Sequence, residues 1–273
     1  MISPLLQLIV VMGAGATAGC FGALLGIGGG VLLVPFLNLV LGYTFKQAVA
    51  TSLVTVIATS SAVSARTAGK QLINLKLGML LEVTTAVGGL AGGLVVPLIS
   101  DRILQIIFAI VTATIAIVML QRLDKRNVIL DPAADPGRLG GQFFEEESGQ
   151  TVTYRVKRLP VALGMSFLAG NVSSFLGVGG GILKVPALNA WCGVPLRAAA
   201  ATSALMIGVT AVAAVPVYYS SGYIVENVAA ATVLGVLAGS RAGFWIGTRA
   251  KAKWLKALMI AVLVGVSLSY ILK

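Results

Sequence analysis

The sequence predicts an all-α integral membrane protein made of two inverted-topology repeats, with about eight long helices and two short half-helices. Three observations predict this fold. The 273 residues are 58% hydrophobic and only 11% charged, with a mean hydropathy of +0.97, whereas a soluble domain is about half apolar and about a quarter charged. A fourteen-residue segment occurs twice, and the basic residues cluster at the ends of apolar segments.

The duplicated segment reads LGIGGGVLLVPFLN at 25–38 and LGVGGGILKVPALN at 176–189. The offset is 151 residues, and ten of the fourteen positions are identical. The tripeptide ATS at 50–52 returns at 201–203 with the same offset. Two apolar halves that carry a glycine-interrupted segment at the same place are typical of secondary transporters.

Ten apolar segments account for the two halves. They cover 4–25, 31–42, 46–65, 75–97, 103–122, 159–176, 182–193, 197–219, 227–248 and 254–272. A helix needs about 20 residues to span a bilayer, and the second and seventh segments are too short. Both follow a glycine triplet. We therefore expect each to be a half-helix that starts near mid-membrane, with the preceding segment as the other arm of a re-entrant or broken hairpin.

One long polar stretch separates the halves. It covers 123–158 and divides the chain into repeat 1 at 1–122 and repeat 2 at 159–273. Within it, 151–157 alternates in polarity like a short strand. We interpret the stretch as a solvated cytoplasmic connector without chemistry of its own.

The basic residues predict the orientation in the membrane. If each hairpin begins and ends on the same side, one side receives the connector and Arg66, Lys70, Lys76, Arg197, Arg249, Lys251, Lys253 and Lys256. The other side receives Lys46, Arg102 and Lys273. Such a bias predicts a multi-pass protein of the bacterial inner membrane with both termini periplasmic. Joining the first two segments into one broken crossing would instead spread the charges almost evenly.

The same charges predict that the halves are inverted. In the first half, the loop after the third segment at 66–76 is basic and the next loop is not. In the second half the order is reversed, because 222–226 is not basic and 249–256 is. Equivalent loops therefore lie on opposite sides of the membrane.

The glycine triplets are the first candidate binding residues: Gly28, Gly29, Gly30, Gly179, Gly180 and Gly181. Each triplet precedes a helix start, where free N–H groups and the helix dipole favour an anion. Glycine also lets a ligand approach the backbone closely. The alternative is close helix packing, which small residues permit in membranes.

The duplicated hydroxyl residues are the second candidates: Thr51, Ser52, Thr202 and Ser203. Hydroxyl groups can donate to an anion without a buried charge. Hydrogen bonds between helices, or to their own helix, remain the alternative. Asn38 and Asn189 also repeat, and we interpret them as capping or turn residues.

Three charged residues lie inside apolar segments. Lys184 stands where the first half has Leu33, and Arg241 stands opposite Ala91 if Gly89 and Gly93 align with Gly239 and Gly243. Both are candidate anion contacts because charges at such depth normally face a cavity or a partner. Glu82 is the candidate for proton coupling. The alternative is an ion pair of Glu82 with one of the cations or with Lys76.

Several function classes are excluded by composition. The chain has no histidine, and its two cysteines are isolated in apolar runs, so we expect no metal site, no cofactor and no enzymatic activity. The net charge is +11, and the basic residues lie mostly at segment ends, which orientation explains without nucleic acid. The expected partners are a small anionic substrate and the lipid bilayer. A homo-oligomer is possible.

The two LGxGGGxLxVP motifs and the two ATS tripeptides resemble the TauE/SafE family of bacterial membrane proteins. The resemblance covers about residues 8–272. It implies an inner-membrane exporter of small sulfur-containing anions, namely sulfite or organosulfonates such as sulfoacetate. The residues themselves predict only an inverted-repeat transporter with a cationic centre, which would work by alternating access. Transport of another small anion, import of a reduced sulfur compound, and a passive channel remain open.

Overall fold

The computed structural model describes residues 4–25, 28–67, 72–121, 135–145, 149–249 and 252–272. These residues form ten α-helices and one pair of strands. The helices are α1 Pro4–Leu25, α2 Gly30–Pro35, α3 Phe45–Thr67, α4 Leu75–Val95, α5 Asp101–Gln121, α6 Leu159–Leu176, α7 Gly181–Ala190, α8 Leu196–Ser220, α9 Glu226–Arg249 and α10 Ala252–Ile271. The strands are β1 Gly141–Glu145 and β2 Gln150–Tyr154, which pair antiparallel.

The predicted segments coincide with these helices. The two short ones are α2, which continues as a π-helical turn over Phe36–Val40, and α7, which has ten residues. Within the described residues, five helices are long and apolar enough to cross a membrane. They lie at Leu6–Leu24, Phe45–Arg66, Leu75–Leu98, Leu159–Leu176 and Leu196–Ser220. The protein is therefore an all-α, multi-pass membrane protein.

Local signals explain where several helices start. Gly29 and Gly180 precede α2 and α7 with φ of 75° and 71°, a left-handed conformation that glycine adopts without strain. The Asn74 side chain accepts a hydrogen bond from the Leu77 backbone N–H at 3.0 Å and so caps α4. The Asp101 carboxylate accepts from the Phe45 N–H at 2.7 Å and caps α3 from another helix.

Helix packing repeats between the two halves. Helix α1 packs on α9, and α6, its counterpart five helices later, packs on α4, the counterpart of α9. Likewise α2 packs on α3 as α7 packs on α8. Two further pairs, α3 with α8 and α5 with α10, join a helix to its own counterpart. The contacts of one half are thus reproduced by the other.

Glycine contacts give the helix directions and the register. Methyl groups added at Gly235, Gly239 and Gly243 would meet the carbonyl oxygens of Met12, Ala16 and Cys20, so α1 and α9 run parallel. Gly88 and Gly92 face Phe167 and Asn171 in the same way, so α4 and α6 are also parallel. Gly78, Gly89 and Gly93 of α4 likewise face Thr202, Thr210 and Val217 of α8, so α4 and α8 also run parallel.

These contacts correct one sequence alignment. Gly88 and Gly92 occupy the positions of Gly239 and Gly243, which keeps the offset of 151 residues throughout the chain. The alignment of Gly89 and Gly93 with Gly239 and Gly243 was wrong by one residue. The counterpart of Arg241 is therefore Leu90 and not Ala91.

The connector is more ordered than a purely solvated loop. Its β-hairpin buries Phe143, Val152 and Tyr154 against the membrane helices. The residues that they join include Leu77 and Leu81 of α4, Ala162 of α6, Leu188 and Cys192 at the end of α7, and Ala198, Ala199 and Met206 of α8. We call this set the hairpin cluster. Connector residues 122–134 and 146–148 lie outside the described residues, as do Lys70, Lys251 and Lys273.

Asn74 joins the hairpin to the helices. Its side-chain amide donates to the Leu139 carbonyl at 2.8 Å and to the Tyr154 hydroxyl at 3.1 Å. Its backbone N–H donates to the Thr202 hydroxyl at 3.0 Å. Burial raises the pKa of the Tyr154 hydroxyl, with the Asn74 hydrogen bond opposing the shift. One residue thus connects α4, α8 and the connector.

Candidate functional site

The two glycine triplets lie close together at the crossing of α3 and α8. Val56 and Ile207 are equivalent residues at the offset of 151, and both contact Gly28 and Gly179. A methyl group on Gly30 would fall against the Gly177 carbonyl oxygen and the Val178 Cα. The structure therefore brings the two duplicated segments together. Their glycines permit backbone-to-backbone packing, which is the packing alternative considered for the triplets.

Helix α7 begins with an uncapped end beside a polar side chain. Its N-cap is Gly180, which has no side chain to accept from the first-turn N–H groups. Leu183 and Lys184 both donate to the Gly180 carbonyl oxygen. The Ser173 Cβ lies 3.5 Å from the position of a methyl group on Gly180. The Ser173 hydroxyl is fully buried and has no hydrogen-bond partner. This end of α7 carries the positive end of the helix dipole.

Lys184 lies in the first turn of α7 and is only 1% exposed. Its Nζ is 3.4 Å from Glu82 Oε2 of α4 and 3.3 Å from the Thr210 hydroxyl of α8. The Thr210 hydroxyl in turn donates to Glu82 Oε1 at 2.8 Å. We call Glu82, Lys184 and Thr210 the charged triad. It brings a cation, a carboxylate and a hydroxyl into mutual contact below the surface.

The triad changes the expected charge balance. Composition suggested a positive excess in the interior, with an ion pair of Glu82 as the alternative. The structure contains the ion pair, between Glu82 and Lys184. The Glu82 side chain is 13% exposed and thus remains partly accessible, whereas Lys184 is enclosed. One positive and one negative charge give the pair no net charge. Each charge offsets the cost of burying the other, which would be high without a partner.

The first half has no equivalent of the triad. At the offset of 151, Lys184 corresponds to Leu33, Thr210 to Thr59 and Glu82 to Val233, so the threonine alone is retained. Leu33 is fully buried in the main apolar core. The Thr59 hydroxyl donates only to the Thr55 carbonyl of its own helix, at 3.0 Å. A symmetric scaffold therefore carries an asymmetric polar site.

The duplicated hydroxyl residues are all buried but differ in their partners. Ser52 donates to the Gly177 carbonyl oxygen of the other half at 2.6 Å. Ser203, its counterpart, has no hydrogen-bond partner. Thr202 accepts from the Asn74 N–H, and Thr51 accepts a hydrogen bond from Thr55 through its carbonyl oxygen. Interhelical hydrogen bonding thus accounts for Ser52 and Thr202 in this conformation.

The asparagine residues form the predicted turns. Asn38 donates to the Tyr43 carbonyl at 2.8 Å, and Asn189 donates to the Val194 carbonyl at 3.0 Å, each five residues ahead. The Arg241 side chain on α9 is exposed, whereas that of Lys184 is enclosed. Its contact with an anion stays a prediction.

Two structural features were missed from the sequence. Thr210 completes the triad, and it repeats with Thr59 at the offset of 151, so the same search that found the ATS tripeptides could have found it. The hairpin was recognised as strand-like only in part, and its burial depends on residues far apart in the chain. In the described part of the chain, no group of three or more His, Cys, Asp or Glu could hold a metal ion.

Comparison with known proteins identifies relatives along nearly the whole chain. A family model described as sulfite exporter TauE/SafE matches residues 11–270. The protein called "Probable membrane transporter protein YunE" of Bacillus subtilis is 25% identical over 274 residues, which cover 97% of this chain and 98% of that protein.

Two further relatives have similar coverage. "Probable membrane transporter protein MJ0441" of Methanocaldococcus jannaschii is 27% identical and covers 95% of this chain and 92% of its own length. A "Probable membrane transporter protein" of Xylella fastidiosa is also 27% identical, over 90% of this chain and 87% of that protein. No solved structure matches the chain.

Proposed function

Because the chain belongs to the sulfite exporter TauE/SafE family, and is therefore a membrane transporter and not an enzyme, we propose that it exports small sulfur-containing anions. The proposed substrates are sulfite and organosulfonates such as sulfoacetate. The observation that carries the proposal is Lys184, an enclosed cation in the first turn of α7. A sulfonate is a compact group with three acceptor oxygens, which a lysine and backbone N–H groups can bind together.

The proposed binding shell centres on the start of α7. Gly179, Gly180 and Gly181 would supply backbone N–H groups, and Lys184 would supply charge. Ser173, which lies beside Gly180 and is buried without a partner, supports a hydroxyl contribution there. Ser203, which is also buried without a partner, is a further proposed donor. The first-half residues of the proposed shell are Gly28, Gly29, Gly30, Thr51 and Ser52, with Thr202 as the counterpart of Thr51. Their part requires that the two segments separate, because Gly30 now packs against Gly177.

We propose that the halves are inverted repeats and that transport follows alternating access. Helix α8 runs parallel to α4, and only seven residues separate α3 from α4. Helix α3 would therefore run opposite to α8, as equivalent helices of inverted repeats do. The Gln7 side chain donates to the Tyr43 hydroxyl at 2.9 Å. This contact joins the start of α1 to the chain after α2, and it supports a re-entrant hairpin that returns to its own side.

The proposed arrangement in the membrane follows from the same directions. Both termini would lie on the periplasmic side of the bacterial inner membrane, and the β-hairpin would lie in the cytoplasm. The hairpin side carries Arg66, Lys76 and Arg197. Lys46 lies on the other side, with its Nζ 5.6 Å from the Tyr223 ring centroid.

Flux in proteoliposomes tests the proposed function. Vesicles are loaded with sulfite or sulfoacetate, and efflux is followed by ion chromatography. We expect saturable efflux in the wild type and a loss of at least about tenfold in the double variant K184L/E82Q, which removes both charges together and leaves neither unpaired. The matched control is Leu33→Ile, at the equivalent position in the first half. Absence of flux for every sulfonate tested would overturn the proposal.

Three further outcomes separate the alternatives. Saturable flux of a different anion, with none of sulfonates, would favour a transporter of another small anion. Net uptake against a sulfur-anion gradient would indicate an importer. Thermal stabilisation by cations alone would refute an anionic site.

A further inference from the structure

The charged triad has no surplus charge with which to neutralise an anion. Lys184 is already neutralised by Glu82 at 3.4 Å. The elements packed against α4 and α7 are α5, α6, α8 and the connector hairpin. The described charged residues of the helices are Asp101 and Arg102 at the start of α5 and Arg197 in the first turn of α8, while α6 has none. Those of the connector are Asp135, Arg138, Glu145, Arg155, Lys157 and Arg158.

The charges on these helices lie toward the helix ends, away from the triad. Among the connector cations, Arg158 acts on Cys192, which is eight residues beyond Lys184. Arg197 precedes Thr210 by 13 residues, or about 20 Å along the α8 axis. Lys76, on α4 itself, precedes Glu82 by six residues and is exposed. An anion bound at Lys184 would therefore leave one uncompensated negative charge in a low-dielectric interior, which is costly.

We infer that binding of an anion at Lys184 is coupled to uptake of one proton by Glu82, so that the protein carries the anion and the proton together. This inference rests on the proposed function and names its coupling ion and the direction of coupling. The anion takes the place of the carboxylate beside Lys184, and a proton from the solvent converts that carboxylate to the neutral acid. The total charge of the occupied site is then that of a monoanion beside one ammonium group, which is zero.

The Thr210 hydroxyl can hydrogen-bond Glu82 in both its ionised and its protonated state. Its hydroxyl now donates to Glu82 Oε1 at 2.8 Å and accepts from Lys184 Nζ at 3.3 Å. A hydroxyl can rotate and accept as well as donate, so it can accept from the protonated Glu82 and donate to the Met206 carbonyl at 3.0 Å. The 13% exposure of Glu82 gives the proton access that enclosed Lys184 lacks.

The coupling determines whether the membrane potential drives transport. A monoanion that moves with one proton transfers no net charge, so the membrane potential does not drive it. Export then follows the concentration gradients of the anion and the proton. A carrier of the bare anion would behave differently, because a potential that is negative inside would drive the anion outward.

The test counts protons on the purified full-length protein in detergent. Isethionate is a suitable probe because its sulfonate group does not titrate near neutral pH. Binding is measured by calorimetry, and proton uptake is measured in a weakly buffered solution with a pH dye. We expect about one proton taken up per anion bound in the wild type. In E82Q we expect binding without proton uptake, and an affinity that no longer falls with rising pH.

The outcomes separate this inference from the proposed function. Binding of isethionate and the other sulfonates without proton uptake in the wild type overturns the coupling and leaves the transporter proposal standing. No binding of any sulfonate overturns the proposed function itself. Proton uptake that persists in E82Q places the coupled group elsewhere and overturns the inference. If E82Q does not fold, the wild-type proton count together with T210V decides, because T210V retains the carboxyl group and should keep the stoichiometry at about one.

Discussion

Lys184 and Leu33 occupy equivalent positions in the two halves, and both are almost completely enclosed. Leucine needs no partner at such a site, whereas lysine needs a carboxylate, and Glu82 and Thr210 supply its contacts. An apolar side chain would pack there at least as stably, since a buried ion pair rarely adds net stability. The triad is therefore better explained by function than by folding.

Removal of one charge of the pair should destabilise the protein strongly. K184L leaves the Glu82 carboxylate without its cation, and we expect a loss of about 3 kcal/mol in the free energy of unfolding. The double variant K184L/E82Q should recover most of that loss because no charge is left unpaired. Unfolding in detergent, followed by circular dichroism, measures both values. Equal destabilisation of the two variants would contradict the assignment of the ion pair.

The Thr210 hydroxyl should matter more than its repeat counterpart. T210V removes a hydrogen bond to a carboxylate, which costs about 1.5–3 kcal/mol. The matched variant T59V removes only a bond within its own helix, and we expect about 0.5 kcal/mol or less. The same unfolding assay compares them. Indistinguishable values would mean that the contact of Thr210 with Glu82 contributes nothing.

From the sequence, the charged residues of the triad could be identified, but their contacts with one another could not. Lys184 and Glu82 were identifiable because charges are rare in apolar segments. Their pairing was not, since the two residues are 102 positions apart and Thr210 is a further 26 beyond Lys184. Only the packing of three helices brings them together. For Arg241 the same reasoning identified a charge whose side chain the fold leaves exposed.

At the scale of elements, small residues set how closely parallel helices approach. Along α1 and α9, and along α4 and α6, glycines face carbonyl oxygens of the neighbouring backbone. Such contacts are how helices associate inside membranes, where apolar burial alone gives little advantage. The sequence indicated these surfaces by the spacing of its glycines. The partner of each surface required the structure.

Glycines on one helix should differ sharply in their tolerance of alanine. Gly170 of α6 faces the Thr85 carbonyl oxygen, so G170A must force α4 and α6 apart, at a cost of about 1–3 kcal/mol. Gly164, on the same helix, has open space around it. G164A should therefore be neutral or stabilising by up to about 1 kcal/mol. Thermal unfolding of both variants checks this, and equal effects would contradict the close packing of α4 and α6.

Asn74 should contribute measurably to holding the hairpin on the helices. N74A removes two hydrogen bonds to the connector, worth about 0.5–1.5 kcal/mol each. Cys192 reports the change, because it is buried in the hairpin cluster and burial raises the pKa of its thiol against the effect of Arg158. In a C20A background, we expect N74A to label with a maleimide about tenfold faster than the protein that retains Asn74.

The control for that experiment is N171A. The Asn171 amide donates only to the Phe167 carbonyl of its own helix, at 3.1 Å, so its loss should leave the labelling rate of Cys192 unchanged. An unchanged rate in N74A as well would mean that Asn74 does not hold the hairpin.

At the scale of the whole molecule, the offset between the two copies of the duplicated segment also relates helix contacts outside that segment. The offset of 151 relates the contacts of α1 with α9 to those of α6 with α4. Gly19 faces the Val236 carbonyl oxygen as Gly170, its counterpart, faces that of Thr85. Sequence alone could supply the offset because both copies kept the same glycines. It could not supply the seating of the connector, which belongs to neither repeat.

The proposed arrangement predicts where loops are accessible. Single cysteines at Ser221, between α8 and α9, and at Thr151, in β2, are both exposed positions. In spheroplasts of a bacterial host, a membrane-impermeant thiol reagent should label the cysteine at 221 and spare the one at 151. Inside-out vesicles should give the reverse, with C20A/C192A as the background. Labelling of both from one side would contradict the inverted arrangement.

Because the hairpin packs on one face of the molecule only, the two faces should differ in the free energy needed to open them. In a chain of two identical halves, the two conformations that exchange the roles of the halves would be degenerate. Here Asn74 anchors the hairpin, and its counterpart at the other face is Val225. In the proposed alternating-access cycle, opening the hairpin face would break contacts that opening the other face would not, so the resting population should be skewed toward the seated state. A skew of about 1.4 kcal/mol is tenfold in population, and substrate must overcome it by binding the two conformations unequally.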